Sequence, residues 1–115
     1  MNRARKGYRK EYLAKKEIEK EGYTLLFKSQ RIRFGRIDFG PFDLVAIRGD
    51  HWRFISVKHR TSGDIAENRK AILSFMETHA LHNMSFELWI WHAPRYAGRG
   101  KNKEWVHAHW AKEVL

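Results

Sequence analysis

A carboxylate and an ammonium group lie fifteen residues apart in two segments that resemble neighbouring strands. Asp43 opens an apolar segment, and Lys58 closes the segment 52–58 after the short turn 48–50. Both segments are rich in β-branched and aromatic residues, and so short a turn favours a hairpin. Side chains alternate between the two faces of a strand, so Ser56 and Lys58 share a face. The hairpin is therefore expected to bring the Asp43 carboxylate beside Lys58 and Ser56.

Such a cluster suits hydrolysis of a phosphodiester. Carboxylates such as Asp43 hold Mg²⁺, which polarises the phosphate and supplies a hydroxide-like nucleophile. A nearby lysine such as Lys58 can orient the attacking water and offset the negative charge of the pentacoordinate transition state. The opposite interpretation is a strand-start Asp that caps local backbone and a strand Lys that faces solvent.

The elements around this cluster predict a single α/β domain over residues 1–115, with a central mixed sheet flanked by helices. The predicted order is αβββαβ plus a late edge strand. The segments are a basic arm at 1–6, a helix at 7–21 ending at Gly22, strands at 23–27, 41–47 and 52–58, a helix from 63 or 64 to about 81, a strand at 86–91 and the edge strand at 104–110. Residues 28–40 are expected to be a loop or hairpin, and residues 94–103 a basic loop.

One acid of the first predicted helix has an unexpected position. At 100° per residue, Glu11 falls within the apolar stripe that contains Ala14 and Ile18. An ion pair with Lys15 at i+4 would explain it without any functional role.

Several short motifs resemble the PD-(D/E)xK nuclease superfamily, and within it the archaeal-type Holliday junction resolvases. The superfamily signature reads Pro41-Phe42-Asp43 and then Ser56-Val57-Lys58. The resolvase pattern appears as Gly7-x-x-x-Glu11, Gly22-Tyr23 and Asp43-Leu44-Val45-Ala46. The resemblance covers roughly residues 4–92, with the clearest matches before residue 60.

This resemblance implies a restriction-endonuclease-like fold and a set of roles. Glu11 and Asp43 would be metal ligands, and Lys58 would be the catalytic lysine. Enzymes of the family are homodimers that use Mg²⁺ or Mn²⁺ to cut symmetrically across a four-way DNA junction.

The sequence departs from the pattern at Ser56, where the superfamily has Asp or Glu. A hydroxyl is a poor substitute for an anionic ligand of a hard cation. Some restriction endonucleases of the superfamily share Ser-Val-Lys and carry the missing acid on the following helix. Glu67 is the first candidate for this migrated acid, Asp64 the second and Glu77 the third. An altered, inactive protein and a naturally degenerate binding module are the other interpretations.

The charge of the chain indicates a polyanionic partner. Lys and Arg number 23 against 13 Asp and Glu, a formal net charge of +10. Each phosphate neutralised by such a surface releases condensed counterions. Phosphate contacts, which position DNA without reading its sequence, are predicted for Arg3, Arg5, Lys28, Arg31, Arg33, Arg36, Arg60, Arg95, Arg99, Lys101 and Lys103. The alternative is that these side chains only keep the protein in solution.

Other classes are disfavoured. The absence of cysteine excludes disulfides and Cys-ligated zinc. No segment has the apolar length of a signal peptide core or a membrane span, so an intracellular protein without a membrane partner is expected. His107 and His109 would share a strand face, but no third zinc ligand accompanies them. A restriction or repair-type DNA nuclease and a catalytically dead DNA- or RNA-binding module remain as alternatives to the junction resolvase.

Overall fold

The computed structural model describes residues 3–28, 30–32, 35–37, 40–79 and 82–115, with side chains described for 10–28, 40–79, 82–101 and 103–115. The elements are α1 (Arg3–Lys20), β1 (Thr24–Lys28), β2 (Gln30–Ile32), β3 (Gly35–Ile37), β4 (Leu44–Arg48), β5 (His51–His59), α2 (Ile65–His79), β6 (Met84–His92), β7 (Arg95–Ala97), a 3₁₀ turn (Gly100–Asn102), β8 (Glu104–Val106) and β9 (His109–Val114).

The five longer strands form one mixed sheet in the order β1-β4-β5-β6-β9. β5 and β6 are parallel, and the other neighbouring pairs are antiparallel. Parallel neighbours need a crossover connection, and α2 provides it. The prediction of a single α/β domain with a mixed central sheet is confirmed, and the architecture is consistent with a restriction-endonuclease-like fold.

The sheet buries both of its faces, which explains the nearly continuous apolar runs of its central strands. On one face, Ala14 and Ile18 of α1 pack against the sheet; their partners are Leu44, Ala46, Ile55, Val57 and Trp89. On the other face, Ile72 of α2 packs against a second cluster, formed by Phe42, Val45, Phe54, Phe86, Leu88 and Ile90. Ser56 and Lys58 follow Phe54 at intervals of two, so they belong to the α2 face.

A buried ion pair lies on the α1 face of the sheet. Arg53 donates from Nε and Nη2 to the two carboxylate oxygens of Glu87, both at 2.7 Å, and also donates to Glu21. Trp89 Nε1 donates to Glu87 at 3.0 Å. Burial favours the neutral form of Glu87, but the hydrogen bonds from Arg53 and Trp89 prevail and hold its pKa below the ordinary value.

The predicted edge strand is wrong in its position. Residues 104–106 pair with β7 in a separate two-stranded sheet. β7 itself lies in the segment 94–103 that was predicted to be a loop. The strand that completes the main sheet is β9. The alternation of apolar and polar residues over 104–110 is typical both of an edge strand in the main sheet and of a strand in a small separate sheet. The main-sheet edge goes to the later segment because Trp110 packs there against Trp89 and Trp91.

Smaller differences concern the ends of the helices. α1 begins at Arg3, so helical backbone includes most of the predicted basic arm. α2 ends at His79, two residues before the predicted end. Residues 30–32 and 35–37 pair as a short hairpin, one of the two conformations expected for residues 28–40.

Neither described helix has the length and apolarity to cross a membrane.

Candidate active site

Asp43 is held rigidly at the start of β4. Its backbone N–H donates to the carbonyl of Ile55 at 2.9 Å, and its Oδ2 accepts a hydrogen bond from the Val57 N–H at 2.8 Å. The carboxylate therefore extends the hydrogen-bond ladder between β4 and β5. This hydrogen bond fixes the direction of the carboxylate.

A small cleft opens beside this carboxylate. It has a volume of about 140 Å³ and is lined by Gly40, Pro41, Phe42, Asp43, Ser56, Lys58 and Asn68. Asp43 and Lys58 thus face the same opening on the α2 side of the sheet. The hairpin of β4 and β5 brings these two side chains together with Ser56.

Lys58 is held at the mouth of the cleft by the start of α2. Its Nζ donates to Asp64 Oδ2 at 2.8 Å. That hydrogen bond, together with the charge of Lys58, holds the pKa of the Asp64 carboxyl below its usual range. The Asp64 carbonyl accepts the Asn68 N–H at 2.9 Å, so Asp64 also occupies the N-cap position of α2.

The helix residue that enters the cleft is Asn68. The Ser56 hydroxyl, 1% exposed, donates to Asn68 Oδ1 at 2.5 Å. Asn68 lies four residues before Ile72, which is fully buried against the sheet, so both project from the same side of α2. Glu67 is rotated by about 100° from that side and is exposed, as is Glu77; neither lines the cleft. Sequence reasoning missed Asn68, although its spacing from Ile72 carried the signal.

Glu11 reaches the same end of the sheet from the opposite face. Its Oε2 lies 3.9 Å from Lys28 Nζ, and its side chain is 17% exposed. Lys28 is in register with Leu44, the residue after Asp43. Glu11 is therefore near the cleft without lining it, and its ion pair with Lys28 differs from the expected pairing with Lys15.

A second lysine near the cleft was not predicted. Lys10, beside Glu11 on α1, is half-buried, and burial lowers its pKa. The Asp43 carboxylate opposes that shift, and Lys58 reinforces it. The charge of Lys10 thus acts on the same site as that of Lys58.

The oxygen atoms of the cleft are hard donors, the type that Mg²⁺ and Mn²⁺ prefer. They comprise the Asp43 carboxylate, the Ser56 hydroxyl and the Asn68 amide oxygen. Among the described residues, no three His, Cys, Asp or Glu side chains are grouped to hold a metal. One carboxylate with neutral oxygens fits a Mg²⁺ ion that keeps several of its waters.

The predicted DNA contacts lie in several segments of the chain, and one of them, Lys28 at the end of β1, is half-buried. Arg60 follows β5 and is exposed, Arg95 opens β7 and is half-buried, and Arg99, Lys101 and Lys103 are exposed around the 3₁₀ turn. Contacts were also predicted for Arg3, Arg5, Arg31 and Arg36, whose side chains lie outside the described part of the structure, and for Arg33, which lies outside it altogether.

Comparison with known proteins gives one partial likeness. A segment of the chain is similar to the UPF0102 protein mlr4633 of Mesorhizobium japonicum, with 43% identity over 58 residues. The match covers 50% of this chain and 42% of that protein. UPF0102 proteins are grouped with the PD-(D/E)xK superfamily. The likeness is to a nuclease-like family. No protein-family profile matches the chain.

Proposed function

We propose that this protein is a metal-dependent endodeoxyribonuclease that hydrolyses a DNA phosphodiester at the cleft of Asp43 and Lys58. The observation that carries the proposal is that the fixed carboxylate and the ammonium group line one opening. The mixed sheet and the partial likeness to a nuclease-like family support it.

Asp43, Ser56 and Asn68 would hold Mg²⁺ or Mn²⁺. When bound, such an ion polarises a phosphoryl oxygen and makes a water molecule more acidic. Lys58 orients the attacking water and offsets the negative charge that develops on the phosphoryl oxygens. Asp64 holds Lys58 in place, and the Val57 N–H keeps the Asp43 carboxylate aimed into the cleft.

The substrate we propose is the four-way DNA junction, cut by a homodimer. Two active sites at a fixed separation would each meet one strand of a symmetric junction. The motif resemblance supports this choice, and the net charge of +10 supports a polyanionic substrate. Glu11 and Lys28, which do not line the cleft, would lie beside the DNA strand that is cut.

A second candidate is a DNA-binding module that no longer cuts. It is favoured by the hydrogen bond between Ser56 and Asn68, which occupies the place where the superfamily has an acid. In this case the basic surface would bind the junction and the cleft would be inert.

The test uses purified protein with end-labelled four-way junction and linear duplex of matched sequence, in Mg²⁺, Mn²⁺ or chelator. Paired, metal-dependent nicks in the junction alone are expected. Cutting of both substrates would replace junction selectivity with a general DNA nuclease. Binding without cutting in either metal would establish the inert module.

Two pairs of variants assign the residues. Asp43→Asn keeps an oxygen that can accept the Val57 N–H, so it should abolish cutting and leave the fold and DNA affinity intact. Lys58→Ala should do the same. Asn68→Ala should reduce cutting, whereas its neighbour Glu67→Ala should not; the reverse result would make Glu67 the migrated acid. Ser56→Glu tests the alternative of an altered site, since gained activity would support it.

A further inference from the structure

Four basic side chains gather where β5 and β6 end. His92 closes β6 and is in register with His109 at the start of β9. Their rings stack with centroids 4.5 Å apart and planes at 13°. The Arg60 N–H donates to the Trp91 carbonyl at 2.8 Å, which places Arg60 beside His92. Arg95 follows three residues after His92 and completes the group.

This group lies on the same face of the sheet as the candidate active site. Lys58 on β5 is in register with Ile90 on β6, and Ile90 packs in the core beneath α2. His92 is two residues beyond Ile90, so it shares that face one pleat further along. His92 is therefore on β6, the strand adjacent to that of Lys58, and His109 is its partner on β9, one strand further.

The group contains two polar atoms that are buried and unsatisfied. His92 Nδ1 and Arg95 Nε are buried without a hydrogen-bond partner. Buried donors are almost always paired, and an unpaired one is costly. The guanidinium Nε always carries a proton, so Arg95 requires an acceptor there. An ion or a water molecule that accepts a hydrogen bond from Arg95 Nε would complete the group.

The charges in the group are all of one sign. Burial lowers the pKa of His92, and the neighbouring His109, Arg95 and Arg60 lower it further; no acid contributes. No ion pair joins Arg60 or Arg95 to another described residue. An anion with several acceptor oxygens would satisfy both the charges and the unpaired atoms.

The second histidine is already oriented. His109 Nδ1 lies 2.8 Å from the His107 carbonyl, which can only accept, so Nδ1 carries the proton. The other polar atom of the His109 ring is Nε2, which donates to an anion once the ring has taken up a second proton.

We propose that His92, His109, Arg60 and Arg95 bind a phosphate of the DNA strand next to the phosphate that is cut at the cleft. This subsite depends on the proposed function for its ligand, a nucleic-acid phosphate. Binding raises the pKa of His92 because an anion favours its charged form. Phosphate binding is therefore coupled to proton uptake at His92.

The first experiment uses inorganic phosphate as the probe, so it does not require cleavage. Histidine ring signals are followed by ¹H–¹⁵N NMR on the full chain as phosphate is added, against chloride at equal ionic strength. We expect saturable shifts of the His92 and His109 signals, and none for exposed His82. Shifts that chloride reproduces would show ionic screening only and would overturn the subsite.

The second experiment uses a junction oligonucleotide in chelator, so that affinity is measured without cutting. We expect affinity to fall by up to about tenfold per pH unit as pH rises between the free and bound pKa of His92. His92→Asn should weaken binding about tenfold and flatten this pH dependence, with His82→Asn as the matched control. Arg60→Gln, at an exposed position, should weaken binding without flattening it.

The outcomes separate the two proposals. Saturable phosphate shifts with no cleavage of any DNA would leave the subsite standing and refute the nuclease. Cleavage by His92→Asn with wild-type affinity and wild-type pH dependence would refute the subsite and leave the nuclease standing. Shifts with free phosphate but unchanged oligonucleotide binding would assign the subsite to a small phosphorylated ligand and overturn its role in DNA binding.

Discussion

Replacing Arg53 by Met should destabilise the fold strongly without touching the cleft. Arg53 is 8% exposed and makes two hydrogen bonds of 2.7 Å to Glu87, which is 2% exposed. Met has similar length and fills the space, so the main change is that the Glu87 carboxylate loses its cation. The substitution therefore isolates the electrostatic contribution from packing.

Breaking a buried ion pair by removing one partner costs about 3–5 kcal/mol. We expect a cost at the lower end of this range, because Glu87 keeps hydrogen bonds from Trp89 Nε1 at 3.0 Å and Ser85 Oγ at 2.9 Å. Glu21, the other partner of Arg53, keeps Lys112 at 2.6 Å. We expect a loss of about 3 kcal/mol in the free energy of unfolding, a large share of the 5–15 kcal/mol typical of such domains.

The loss should depend on pH. In the native protein the pKa of Glu87 is below its ordinary value of 4.5, so its contribution is present above that value and disappears as pH falls. Without Arg53, burial raises the pKa of Glu87, and the variant then loses stability as pH rises above 4.5. The difference between the two proteins should therefore be largest near pH 7 and shrink towards pH 4.

The assay is urea unfolding followed by circular dichroism at several pH values. The double variant Arg53→Met/Glu87→Gln removes the stranded charge and keeps an acceptor for Trp89 Nε1. It should recover about 2 kcal/mol of the loss, since most of the loss comes from the buried charge that is left without its partner. A double variant no more stable than Arg53→Met, or a loss independent of pH, would show that the effect comes from packing and refute the electrostatic argument.

Two further substitutions probe the walls of the cleft, and a third probes the residue that holds Lys58. Phe42→Ala should lower the free energy of unfolding by about 3–5 kcal/mol, measured by urea unfolding, because the ring is 1% exposed. Gly40→Ala should cost about 1–2 kcal/mol in the same assay, since Gly40 has φ +58 and an added Cβ would lie 3.1 Å from Phe75; an unchanged midpoint would show that the turn can relax. Asp64→Asn should cost under about 1 kcal/mol, because its ion pair with Lys58 is half exposed. That loss should be present above the ordinary pKa of 3.8 and vanish as pH falls through the lower folded value, in unfolding curves at pH 2 and 7.

The sequence predicted the part of the site that depends on strand alternation. Asp43, Ser56 and Lys58 could be placed on one face because period-two alternation and a short turn leave little choice of register. The order of helices and sheet strands followed from the same patterns. The exception was the last strand of the main sheet, which was predicted at residues 104–110 and is β9. Both segments have a composition suited to an edge strand, and only the packing of Trp110 decides which of them joins the main sheet.

The parts that could not be predicted depend on long-range contacts. Asn68 and Glu67 are adjacent on α2, and the expectation of an acid favoured Glu67; the position of Ile72 shows that Asn68 faces the sheet. In the sequence, Arg53 and Glu87 are two separate polar residues in apolar strands. They become partners only through the parallel register of β5 and β6. The approach of His92 to Arg60 and Arg95 likewise depends on where strands end.

Asn68 provides a direct test of whether the cleft holds a metal ion. With Asp43 as the carboxylate that lines the cleft, weak binding of divalent ions to the free protein is expected. Asn68→Asp adds a second carboxylate with almost the same shape. At about 4 Å and the dielectric of water, a carboxylate and a dication attract by about 2 kcal/mol, which corresponds to roughly thirtyfold tighter binding.

Binding of Mn²⁺, followed by electron paramagnetic resonance in the absence of DNA, measures this directly. Glu67→Gln is the matched control, because it removes a carboxylate that is adjacent in sequence but lies outside the cleft. Tighter binding in Asn68→Asp with no change in Glu67→Gln would place the ion between Asp43 and α2. Equal affinities in Asn68→Asp and the native protein would mean that the ion binds elsewhere. That result would refute the roles of Asp43 and Asn68 as metal ligands.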